Sequence, residues 1–107
     1  MDAVVCLVTT PPDQARPIAD ALVERELVAC VNIVARVQSV YRWKGAVEHD
    51  DEALLVEKTT RAALPALEAA LGELHPYETF ELVALDVAGG SAEYLAWIGA
   101  SVALPGD

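Results

Sequence analysis

The stretch ACVNIVARVQSVYRW at 29–43, followed by GAVEHDD at 45–51 and EALLVEKT at 52–59, decides the fold. Its first part is rich in Val, Ile, Tyr and Trp, which suit a pleated, half-buried surface, and reads as one long strand. Its last part reads as a second strand. The polar segment between them reads as a break, so that the two strands make a long hairpin. A two-stranded arm of this length cannot bury both faces inside one small domain. Its ends need a neighbour, such as another subunit.

The rest of the chain is organised around that hairpin. Upstream, AVVCLVT at 3–9 is a short, β-branched, continuous apolar run and reads as a buried strand. Thr10-Pro11-Pro12-Asp13 breaks it and opens a helix, with Thr10 or Asp13 as its N-cap. Ala15, Ile18, Ala19, Leu22 and Val23 recur at helical spacing on one face. Pro17 is tolerated only near the first turn, which favours Asp13 as the cap. Downstream, residues 60–74 form a second helix with Leu64, Leu67, Leu71 and Leu74 along one stripe, stopped by His75-Pro76. TFELVALDVA at 79–88 is a strand, Gly89-Gly90 turns the chain and Ser91 caps a last helix at 92–102, with Glu93 near its positive end. The order β-α-β-β-α-β with one added helix defines an α+β, ferredoxin-like split βαβ sandwich. It has an extra C-terminal helix and a long hairpin between the second and third strands. Residues 1–107 make one domain.

Charge and composition remove several function classes. The net charge of -10 repels nucleic-acid phosphates and anionic membrane faces. An RNA-recognition module shares this strand order but needs basic charge and exposed sheet aromatics. The apolar share of 54% is high for so small a domain and leaves apolar surface for an oligomer interface. Two cysteines do not make a disulfide framework. Met1-Asp2 carries no basic leader, and no apolar run approaches the ~20 residues of a membrane helix, so the cytoplasm is the expected location.

Few residues carry chemistry. No nucleophilic triad, Gly-x-Ser-x-Gly or phosphate-cradling loop occurs, and Gly89-Gly90 reads as a turn. Cys30 opens a strand, where its thiolate suits a soft metal such as Cu(I) or its thiol packs as a small hydrophobe. Cys6 lies inside the apolar first strand and reads as core. His75 and Glu78 share a loop and could hold a divalent ion; otherwise His75 caps a helix end and Tyr77 packs with its hydroxyl bonded. Glu48-His49-Asp50-Asp51-Glu52 reads as a solvated hairpin tip with weak cation affinity. Lys58, flanked by Glu57 on the opposite strand face, is either an anion contact or part of a cross-strand ion pair. Trp43 and Trp97 read as packing or interface residues.

Five segments together resemble the CutA family in order and spacing. They are Ala29-Cys30-Val31-Asn32-Ile33, Ser39-Val40-Tyr41-Arg42-Trp43-Lys44-Gly45, Lys58-Thr59, His75-Pro76-Tyr77-Glu78 and Tyr94-Leu95-Ala96-Trp97, with Thr9-Thr10-x-Pro12 as an opening turn. The resemblance covers essentially the whole chain. It implies a ferredoxin-like homotrimer similar to PII signalling proteins, in which long hairpins pair across subunits. It implies a non-enzymatic role in tolerance of divalent cations, with copper or another divalent cation as the bound metal and no organic cofactor. It raises Cys30 as a metal ligand and places Lys58 and the His75-Pro76-Tyr77-Glu78 motif along a cleft between subunits. With His75 and Glu78 from their shared loop, the candidate metal ligands are Cys30, His75 and Glu78; the candidate cleft residues are Lys58 and Tyr77, joined by Trp43 and Trp97 as interface residues. Two positions depart from the family pattern: Phe80 and Ala35 stand where proline is usual. Phe80 restores a backbone donor and adds bulk beside the cleft.

Three functions follow as expectations. The first is a trimeric metal-responsive protein binding a metal ion or small ligand at the cleft. The second is a PII-like small-molecule sensor with no direct metal role, in which Lys58 meets an anion. The third is an enzyme with Glu78 or His75 as general base and Lys58 as electrostatic stabiliser.

Overall fold

Strict alternation in the first strand sets the two layers of the domain. In β1 (Ala3–Thr10), Val4, Cys6, Val8 and Thr10 are buried, while Val5, Leu7 and Thr9 on the opposite face are half-buried. Side chains of a strand point to opposite faces in turn, so one face of β1 is core and the other is only partly covered. The computed structural model describes residues 2–104; Met1, where the leader argument begins, lies outside them. After β1 come a 3-10 turn (Pro12–Gln14), α1 (Ala15–Glu24), β2 (Cys30–Trp43) and β3 (Ala46–Thr60). A second 3-10 turn (Arg61–Ala63), α2 (Leu64–Leu74), β4 (Val83–Asp86) and α3 (Ala92–Ser101) complete the chain.

The four strands form one antiparallel sheet in the order β2-β3-β1-β4. This is the ferredoxin-like arrangement expected from the sequence, with the two crossover helices on one face. Ile18 and Leu22 of α1 and Leu67 and Leu71 of α2 join Val4, Cys6, Val8 and Leu55 in the core. Deep burial of each such side chain stabilises the fold by about 1.5–3 kcal/mol before entropy is counted. The third helix lies against β1 and β3 from the other side, held by the buried Ile98. Ser91 caps it, its hydroxyl accepting from the Tyr94 amide at 3.3 Å.

Three expectations about local structure are corrected. The segment 45–51 is not a break, because β3 begins at Ala46. The reversal needs only Lys44 (φ 50°) and Gly45 (φ 84°), two left-handed residues that match the right-handed twist of the strands. Trp43 pairs directly with Ala46 across this turn. Solvent on both sides of the arm relaxes the need for apolar residues, so polarity there does not signal a loop. The acids at 48–52 therefore sit along a strand, beyond the hairpin tip.

The N-cap of α1 is Gln14, with no side-chain capping bond, and Asp13 belongs to the preceding 3-10 turn. Pro17 falls in the first turn of α1, as its missing N–H requires. The last strand is only four residues long, Val83–Asp86. Residues 79–82 are irregular because the chain is gathered around His75, with the Phe80 ring stacked on the imidazole at 5.3 Å.

Candidate functional site

The open face of the sheet, where α3 leaves it uncovered, gathers the polar chemistry. Cys30 lies directly opposite Lys58 in the β2–β3 register, and Asn32 opposite Val56. Directly opposed residues of antiparallel strands share a face. The Lys58 ammonium donates to Asn32 Oδ1, and the half-buried Cys30 thiol lies 3.9 Å from the same oxygen. Tyr94 of α3 reaches this group from above. Partial burial first, and then a hydrogen bond with Cys30, raise the pKa of its phenol. Trp97, one turn along α3, packs against Tyr94 with ring centroids 5.4 Å apart. The result is one cation, one thiol, one amide and two half-exposed aromatic rings on a rim. Such a set suits a small anionic or planar ligand.

A second group lies at the root of the arm. His75 is buried, its Nε2–H donating to the Thr9 carbonyl at 2.8 Å and its Nδ1 accepting from the Tyr77 amide at 3.1 Å. Those two bonds fix the tautomer and occupy both ring nitrogens. The Tyr77 hydroxyl donates to Glu52, a carboxylate that is itself buried, at 3.3 Å. Burial, then the charge of Glu52, raise the Tyr77 pKa. Further out, Tyr41 donates to Asp50, which pushes its phenol up to about 12.

The candidates separate accordingly. Lys58, Cys30 and Trp97 come together on the open face, whereas Tyr77 belongs to the group at the arm root. Trp43 stands at the hairpin turn, thirteen residues from Cys30 along β2, or about 40 Å of strand. A cleft containing both Trp43 and Lys58 is therefore not formed within this chain. Cys30, His75 and Glu78 do not meet either. The described residues hold no group of three or more His, Cys, Asp or Glu side chains able to bind a metal ion. Glu78 is exposed. The donor set of the described residues thus does not fit a metal: the imidazole is closed by its own bonds, and Cys30 has an ammonium as its cross-strand neighbour. The bulk of Phe80 goes into the core and not into the cleft.

Three residues were not legible as a site from side-chain type alone. Asn32 stands two positions after Cys30 and so must share its face. Tyr94 is at the start of a helix whose docking the sequence does not specify. Glu52 was masked by its place in an acidic run.

Fold and site together define a small α+β protein with a polar cluster on the open side of its sheet, and the sequence pattern narrows the class. The family described as CutA1 divalent ion tolerance protein matches residues 4–101, and the chain belongs to that family. It is 52% identical over 95 residues to the divalent-cation tolerance protein CutA of Thermus thermophilus, covering 88% of this chain and 92% of that one. It is 44% identical over 92 residues to the protein CutA of Mus musculus, covering 85% of this chain and 52% of that one. The chain therefore spans about half the length of the mouse relative. Among solved structures, the PII-like protein CutA from Nostoc superposes with a TM-score of 0.88 at 35% identity, covering 97% of this chain and 99% of that one.

Proposed function

We propose that the chain is a non-enzymatic homotrimer acting in the cellular response to divalent cations, copper among them, through a cleft between subunits. The observation that carries this reading is the Cys30–Asn32–Lys58–Tyr94 cluster, half-open on a sheet whose two edges, β2 and β4, are unpaired among the described residues. Exposed Val83 and Leu85 on β4 and exposed Val40, Trp43 and Val47 on the arm supply apolar surface for the neighbouring subunits. Pairing of the arms across subunits would give their backbone edges partners. The cytoplasm is the proposed location. No described helix is long and apolar enough to cross a membrane.

A second reading is a PII-like small-molecule sensor with no direct metal role, and one observation favours it. A small anion needs only Lys58 and the aromatic rim, whereas a copper ion at Cys30 requires donors from a second subunit. Copper titration of the wild type and Cys30→Ala, with sedimentation on the same samples, tests both. A trimer that loses stoichiometric copper in the variant supports the metal reading. Equal, weak binding in both supports the small-ligand reading. A monomer at micromolar concentration overturns the shared premise.

A further inference from the structure

Among the described residues Glu57 is the one fully buried carboxylate, and it has no part in the cleft. It is 0% exposed, and both of its carboxylate oxygens lack a hydrogen-bond partner among the described residues. Alternation along β3 puts Ala53, Leu55, Glu57 and Thr59 on the helix-covered face. Across the sheet Glu57 faces Cys6 on β1 and Val31 on β2. The Thr59 hydroxyl on the same face is committed to the Leu27 carbonyl at 2.7 Å. The inward residues of the two covering helices, Ile18 and Leu22 of α1 and Leu67 and Leu71 of α2, are all apolar. Among the described residues, Cys6 is thus the one titratable group facing Glu57 from the elements packed on it.

An isolated carboxylate cannot be sustained in such surroundings; the group is neutralised instead. We infer that Glu57 is a proton-operated lock on the sandwich: the two helices close over the neutral acid, and loss of its proton opens the helix layer from β3. Burial alone raises the pKa of Glu57 from 4.5 to about 8. The neighbouring thiol is consistent with this. Burial first, and the charge of Glu57 second, push Cys6 up to about 11, so Cys6 stays a thiol throughout the window in which Glu57 titrates.

The sign is that of a raised acid. Below its ordinary pKa of 4.5 the group is protonated in both folded and unfolded chains, and its stabilising share is complete. As pH rises toward 8 the folded chain keeps a proton that the unfolded chain has lost, so stability falls throughout this window. Above it the folded chain also ionises and the loss ends.

Denaturant unfolding of the full chain between pH 5 and 9 tests the inference, with Glu57→Gln as the isosteric neutral variant. In the wild type the folding constant should fall about tenfold per pH unit in mid-window, over and above the drift that the variant shows. Equal slopes in wild type and variant would overturn the lock. Should the variant fail to fold, infrared spectroscopy of the wild type decides. A buried protonated-carboxyl stretch at pH 7 that vanishes by pH 9 supports the inference, and no such stretch at pH 7 refutes it. Opening itself is read in a Cys30→Ser background by labelling Cys6. Below pH 8 the labelling rate should climb more steeply than the tenfold per unit that thiolate formation alone gives, and a climb of tenfold or less in that window would rule out opening.

Discussion

The body and the arm of this molecule are made from the same two strands yet obey different rules. Where β3 crosses the body, at 53–59, every second residue is buried without exception. Where it runs along the arm, at 46–51, all residues are exposed. β2, exposed from Asn32 onward apart from the half-buried Val37 and Ser39, marks the same level in its backbone. Between Val34 and Val37 it carries one extra residue relative to β3, a bulge that marks where the arm leaves the sheet. The Arg36–Asp51 pair at the bulge itself, at 2.7 Å, is exposed on both sides and adds at most about 1 kcal/mol. The body is stabilised by its own core. The arm is held by backbone bonds and a two-residue turn, and its apolar residues Val40, Trp43 and Val47 stay exposed.

The sharpest test of this contrast pairs one residue from each region. Leu55→Ala, at a fully buried site, should cost about 2–5 kcal/mol, read as a lower urea midpoint at unchanged slope. Val40→Ala, at a site 64% exposed, should leave the dissociated chain within about 0.5 kcal/mol of wild type. A large loss at Val40 in the dissociated chain would mean that the arm packs on its own body. Next in size is Trp43→Ala: if the arms pair across subunits as proposed, it should weaken assembly by about 2 kcal/mol in sedimentation equilibrium, as expected for an aromatic anchor. The melting temperature should meanwhile lose its dependence on concentration. An unchanged association constant would remove Trp43 from the interface.

Gly45→Ala should cost about 1–2 kcal/mol, because φ of 84° strains any side chain although nothing lies within 4 Å of the added methyl. Calorimetry that finds no loss would point to a rebuilt turn. The smallest effect is expected at Ser91→Ala, about 1 kcal/mol from the lost cap on α3, followed by thermal unfolding. Amide exchange that quickens only at 92–95 would localise it.

The body was legible in the sequence because burial imposes period. AVVCLVT and the leucine stripe of α2 announce themselves, and so does the strand order. The arm was half legible: its existence followed from the length of β2, but its turn did not, since polar residues in a doubly solvated strand look like a loop. Lys44-Gly45 was the available signal, a pair whose left-handed backbone completes a tight hairpin. At the site, the pairing of Cys30 with Lys58 rests on register, which sequence does not give. The closure of His75 depended on backbone groups that carry no sequence signature. Glu57 was missed for a different reason. The alternation Ala53, Leu55, Glu57, Thr59 already assigned it to the core, but a carboxylate beside a lysine invites an ion-pair reading, and chemistry overrode period.

The orphaned acid in the core also alters what a calorimeter would record. A chain that folds at pH 7 around a neutral Glu57 must draw close to one proton from its surroundings. The measured heat of unfolding then contains the heat with which the buffer accepts that proton back. Two buffers of equal pH but different protonation enthalpy should report different unfolding enthalpies for the same molecule, and the slope of one against the other would count the proton directly.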